Sequence, residues 1–142
     1  MDRNELARIF NDSYERVLRA PEKSGEFFSA FYVLLIASSP EAADKFRNTD
    51  MERQVRMLKK SIAILCVYYG TGCQDDDYLR KVAERHSKRD ADIPPQLYSV
   101  WLNCLIETVR QFDPRFDDEV EEAWRAIFSK GVEFMTSRYE QA

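Results

Sequence analysis

Apolar residues along the chain recur at spacings of three and four, the signature of amphipathic helices. Leu6, Ile9, Phe10, Ser13 and Val17 share one stripe and predict a first helix over 3–19, stopped before Pro21. Ser13 is a polar member of that stripe. Phe27, Phe28, Phe31, Leu34 and Leu35 make a broad apolar face over 24–37. Ser39 and Pro40 read as an N-cap and a first-turn proline, opening a short helix that ends near Phe46. Thr49-x-x-Glu52 reads as a capping box ahead of a helix over 50–69, whose inward stripe runs Gln54, Leu58, Ile62, Leu65, Tyr69.

Gly70 and Gly72 break this pattern. Leu79, Val82, Ala83 and His86 then fall at i, i+3, i+4 and i+7, a phase that points His86 inward. The charged stretch 87–92 reads as a loop closed by Ile93 and Pro94, with Pro95 at the start of a helix that carries Leu97, Tyr98, Trp101, Leu105 and Val109. After Asp113 and Pro114, a final helix over 117–139 is expected to bury Val120, Trp124, Ile127, Phe128 and Met135. Seven helices joined by short connections, without repeats or a linker, predict an all-α fold. The length of 142 residues fits one domain spanning 1–142.

Composition supports this picture. Four glycines and five prolines supply little of the turn chemistry that an all-β fold or a phosphate-binding loop requires. A net charge of -4 argues against nucleic-acid binding, which needs clustered Lys and Arg. The longest apolar run, 31–37, is too short to span a bilayer, and the N-terminus lacks an apolar signal core, so the expected location is the cytoplasm. Cys66, Cys73 and Cys104 form no C-x-x-C pair and read as reduced thiols.

The chain contains one histidine, which excludes every metal site that needs two. His86 sits on an apolar helix face, where an imidazole without partners would cost roughly 1–3 kcal/mol. Haem iron is a partner that needs a single protein ligand, because the porphyrin fills four positions. A flat apolar macrocycle also needs a lined slot, and Phe46, Leu58, Ile62, Val82, Ile93, Tyr98 and Trp101 are candidates to line it. From periodicity alone the same residues read sooner as ordinary helical core, which looks alike with or without a cofactor.

The run FYVLLIASSPEAADKF at 31–46, then Gln54-x-x-x-Leu58, ERH at 84–86, IPPQLY at 93–98 and EAW at 122–124 resembles the globin family. The resemblance is strongest to single-domain bacterial globins related to the haem domain of flavohaemoglobins. It implies a globin fold around haem b (iron protoporphyrin IX), with His86 as the proximal iron ligand and Phe46 wedged against the haem. It further implies Tyr32 and Gln54 as the distal pair, and Leu58 as the apolar residue over the iron. Tyr98 matches the proximal tyrosine of flavohaemoglobins, but Tyr139 stands where its glutamate partner is expected, with Glu133 and Glu140 out of phase. Arg53, Arg85, Lys88 and Arg89 are within reach of haem propionates or are solvated charges.

The activity implied is O2 binding coupled to nitric oxide dioxygenation. The length leaves no room for a fused flavin reductase, so an external reductase is expected as the electron source. A non-enzymatic O2 carrier, a gas sensor that signals to a partner protein and a haem-free interaction module are the alternatives.

Overall fold

The computed structural model describes residues 1–19, 21–70, 77–86 and 93–139, apart from the side chains of 21–25 and 77–79. Its helices are α1 (Arg3–Leu18), α2 (Pro21–Ser38), α3 (Pro40–Lys45), α4 (Met51–Gly70), α5 (Asp77–His86), α6 (Pro95–Phe112) and α7 (Asp118–Ser137). There is no strand among the described residues. The predicted all-α architecture is therefore observed. The stretch 87–92 predicted as a loop, including Lys88 and Arg89, and the residues Cys73 and Glu140 lie outside the described set, as does the Leu79 side chain.

Helix boundaries follow from local chemistry. Asp2 caps α1 by accepting from the Glu5 N–H at 2.8 Å, and Asp117 caps α7 by accepting from the Val120 N–H at 2.9 Å. Ser39 caps α3 through the Ala42 N–H at 3.1 Å, with Pro40 in the first turn as expected. Two expectations shift. α2 begins at Pro21, three residues earlier than its apolar face suggests, because proline suits a first helical position. At α4 the cap is Asp50, whose carboxylate accepts from the Arg53 N–H at 3.3 Å, so the Thr49 capping box does not form. The Thr49 N–H instead donates to the Phe46 carbonyl at 3.2 Å, closing the turn after α3.

α2 and α6 pack together, and α7 lies against α1, α4, α5 and α6. α2 also touches α1 and α3, so it is covered on more than one side. That is why the adjacent residues Phe31 and Tyr32 are both buried, although they point about 100° apart on a helix. The core is aromatic: Trp124, Phe10, Phe27, Phe28, Phe31 and Phe128 are fully enclosed. Trp124 lies parallel to Phe128 at 5.9 Å and meets Phe10 edge-on at 4.6 Å. On α7 the buried residue near the C-terminal end is Phe134, with Met135 half-buried, so the stripe runs one residue earlier than predicted. Gly131 admits α4 closely, since a Cβ there would run into the Leu65 side chain.

One polar cluster sits inside this core. Asp113, at the C-terminal end of α6, accepts from Ser13 Oγ at 2.6 Å, from Arg16 Nε at 2.6 Å and from Arg16 Nη2 at 2.9 Å. The Arg115 N–H adds a fourth bond at 2.9 Å, and Trp124 Nε1 donates to Ser13 Oγ at 2.9 Å. Burial alone would raise the Asp113 pKa, but the bonds from Arg16, Ser13 and Arg115 outweigh it and hold the carboxyl below its ordinary value. α1, α6 and α7 are thereby tied at one point.

Candidate functional site

The second polar cluster lies where α2, α3 and α4 converge. Tyr32 on α2 is 3% exposed, and Gln54 on the first turn of α4 donates from Nε2 to its hydroxyl oxygen at 3.3 Å. Phe46, the residue that ends α3, meets the Tyr32 ring edge-on at 5.5 Å. The cap of Ser39 on α3 and the cap of Asp50 on α4 thus set both ends of the segment that carries Phe46 toward Tyr32.

Burial pushes the Tyr32 pKa up to about 12, and the bond from Gln54 offsets part of that rise. Tyr32 is accordingly a neutral phenol near neutral pH. Its oxygen accepts from Gln54, and its own O–H proton has no acceptor among the described residues. A phenol polarised by an incoming hydrogen bond is a stronger donor to a third group. Leu58 lies one turn beyond Gln54 on α4, and it is buried.

His86 ends α5. Its Nδ1 lies 2.7 Å from the Val82 carbonyl oxygen one turn earlier. A carbonyl can only accept, so Nδ1 carries a proton and Nε2 is the ring's other nitrogen. Val82 and Ala83 are buried and His86 is half-buried, which is the phase its spacing predicts. Helices α4 and α5 pack against each other, which joins the helix of Gln54 to the helix of His86.

The other candidate lining residues differ in what they leave open. Phe46, Ile93, Tyr98 and Trp101 are half-buried, whereas Leu58 and Val82 are buried and Ile62 is entirely covered by protein. Trp101 sits between two core rings, 5.5 Å from Phe31 and 5.5 Å from Phe128. Burial raises the Tyr98 pKa, and the hydroxyl has no hydrogen-bonding partner among the described residues. Glu133 pairs with Lys130 at 3.6 Å on the surface of α7 and does not meet Tyr98. Arg53 and Arg85 are exposed. The residue missed in sequence is Asp113. Ser13 on the apolar stripe was the signal for a buried acceptor, and nothing in the order of the chain pointed to a partner 100 positions away.

Seven helices packed around an aromatic core, among the described residues, are the architecture of a haem-binding, gas-binding class of proteins. The Globin family model matches residues 11–135, and the chain belongs to the globin family. Among solved structures it is similar to a Pseudomonas aeruginosa protein described as structurally highly homologous to a human haemoglobin. The two are 33% identical over 95% of this chain and 98% of that one, with a TM-score of 0.86. No curated protein matches the chain.

Haem is the group this family carries, and the residues fit it. An imidazole held from behind by a backbone carbonyl, as His86 is by Val82, is a residue that would suit haem iron. Among the described residues no cluster of His, Cys, Asp and Glu competes as a metal site. No described helix is long and apolar enough to cross a membrane.

Proposed function

We propose that this globin holds haem b through His86 Nε2, binds O2 beside Tyr32 and Gln54, and converts nitric oxide to nitrate with electrons from a separate reductase. The observation that supports this most is the Tyr32–Gln54 bond of 3.3 Å, which leaves the buried phenol's proton for a ligand. Haem, when bound, supplies the iron that takes up O2 and the electron density that makes the ligand partly anionic.

The chain's own residues supply everything around it. Val82 orients the imidazole and enriches its basicity through the Nδ1 bond. Tyr32 donates its proton toward the partly negative ligand, and Gln54 holds Tyr32 in place while adding a second amide N–H. Hydrogen bonds to a charged acceptor contribute about 1.5–3 kcal/mol each, so the pair slows O2 release. Leu58 and Phe46 keep the distal side apolar, and Val82, Ile93, Tyr98 and Trp101 with Ile62 behind them complete the slot. The haem is non-covalent because the sequence has no C-x-x-C-H attachment motif. Free Cys66 and Cys104 suit a reducing compartment, and we place the protein in the cytoplasm.

The overall reaction joins O2, NO and one electron to give nitrate, so each turnover draws one electron from the reductase. Rapid mixing of the reduced, O2-loaded protein with NO is expected to give one nitrate per haem. Displacement of O2 without nitrate would leave an O2 carrier and remove the enzymatic reading.

A further inference from the structure

Charge is divided unevenly between α4 and α7. From residue 53 to residue 74 the sequence places Arg53, Arg56, Lys59 and Lys60 and no Asp or Glu. Residues 117–122 do the opposite, with Asp117, Asp118, Glu119, Glu121 and Glu122 and no Lys or Arg. All four cations of α4 are exposed. Arginines elsewhere pair with nearby carboxylates, as Arg8 does with Asp12, Arg110 with Glu107 and Arg125 with Glu121. Arg53, Arg56 and Lys59 take no ion pair among the described residues, and the Lys59 Nζ lies over the Phe28 ring at 5.4 Å.

Arg56, Lys60, Ala63 and Val67 fall at i, i+4, i+7 and i+11, which is one stripe along the outside of α4. Ala63 is exposed and Val67 is 61% exposed, so the stripe passes from cations to a small apolar patch. The same helix turns Gln54 toward Tyr32 and buries Leu58. A helix with its side chains is about 10–12 Å across, so a protein seated on the stripe lies about one helix width from the pocket. Electron transfer falls steeply with distance, and that width is short enough for it. Cations beside a small apolar patch also suit a transient redox encounter, which buries little area and is steered by charge.

We propose that the outer stripe of α4 is the docking surface for the separate reductant, a small acidic protein that carries one electron at a time. This rests on the haem and reductase reading above. The carrier gives up one electron per encounter and the pocket receives it, with no bond made or broken. The acidic start of α7 repels the same carrier, which favours docking on α4 alone. Two other occupants fit less well. A second copy presenting its acidic 117–122 segment would make a heterologous contact, which runs on into open chains unless it closes. A lipid surface needs bulky apolar anchors, and Ala63 and Val67 are small.

The test follows reduction of the full-length ferric, haem-loaded protein in stopped flow by two reductants of opposite charge, flavodoxin hydroquinone, which is an acidic protein, and the methyl viologen radical cation. With flavodoxin the wild-type rate is expected to fall as salt rises. Arg56→Glu with Lys59→Glu is expected to lower that rate about tenfold or more at low ionic strength, while the viologen rate does not fall. If the double reversal fails to fold, Arg56→Gln with Lys59→Gln is expected to act in the same direction. Lys130→Glu on α7 changes net charge as much as Arg56→Glu alone and is expected to slow flavodoxin less. An unchanged flavodoxin rate in a folded α4 variant overturns the docking surface, as does equal slowing with both reductants. Salt-sensitive self-association, or binding to phosphatidylglycerol vesicles, that depends on Arg56 and Lys59 while reduction does not, overturns it too. Absence of a Soret band is the separate failure of the haem reading, and the docking surface falls with it. Absence of nitrate when the O2-loaded protein meets NO is the failure of the enzymatic reading and is measured apart from these rates.

Discussion

Two polar clusters are buried in this helical core, and they differ in how fully they are satisfied. Around Asp113 every strong group is matched: the carboxylate accepts four hydrogen bonds and the Ser13 hydroxyl both donates and accepts. Around Tyr32 one bond is made, and among the described residues the phenolic proton has no acceptor. Burial of a donor without a partner is costly, so a surplus proton in a buried pocket marks a place where something else binds. The first cluster holds helices together, and the proposed function makes the second the place where a ligand binds. Substitutions in one should move stability and leave ligand kinetics unchanged, and substitutions in the other should do the reverse.

The largest effect expected is at the proximal side. His86→Ala removes the imidazole that presents Nε2, and the purified protein should show no stable Soret band. Retention of haem at wild-type stoichiometry would show that the comparison places the ligand-binding cluster on the wrong residues.

Asp113→Ala comes next. It strands the Ser13 hydroxyl proton, the Arg16 guanidinium and the Arg115 N–H together, and breaking a buried charge pair costs about 3–5 kcal/mol, read as a lower midpoint in urea unfolding. The haem-ligand off-rate should not change. The same carboxyl sets a pH dependence. Its folded pKa lies below the ordinary 3.8, so its stabilisation is complete above that value and is lost as pH falls through the folded pKa. Asp113→Asn should flatten the acid limb of the stability curve below about pH 4.

Gln54→Leu removes the amide that holds Tyr32 and is expected to speed O2 dissociation by roughly tenfold, about 1.4 kcal/mol, with stability nearly unchanged. The smallest effect concerns the segment that brings Phe46 to the pocket. Asp50→Ala should cost about 1 kcal/mol of stability through loss of the α4 cap, whereas Thr49→Ala should stay within about 0.5 kcal/mol.

Much of this architecture was legible in the sequence. Seven helices were marked by apolar spacing and by prolines at helix starts, and the inward phase of His86 followed from Leu79, Val82 and Ala83. The α4 cap was misread because Thr49-x-x-Glu52 and Asp50 are both good caps. Which one acts depends on the turn that Phe46 makes after α3. Met135 was taken for the buried residue where Phe134 is, because near the end of a long helix a one-residue drift in the stripe is invisible to spacing.

Long-range pairing was the least legible feature. Ser13 stood out as polar on an apolar stripe, but its acceptor is an aspartate a hundred residues later, next to a proline that reads as a simple helix stop. The Tyr32–Gln54 bond was likewise hidden. Each residue was expected to face a ligand, and the structure adds that one donates to the other, which decides whose proton remains. The order of aromatic rings across α1, α2, α6 and α7 depends on helix packing and has no counterpart in the one-dimensional pattern.

The distinction between the two clusters is tested most directly by the O2 dissociation rate of the reduced, haem-loaded Tyr32→Phe protein, measured by ligand replacement with CO. Loss of the phenolic donor is expected to raise the rate by about 10- to 150-fold, the equivalent of roughly 1.5–3 kcal/mol, while urea stability stays near wild type. An unchanged rate would mean that the surplus proton of Tyr32 does not face the ligand.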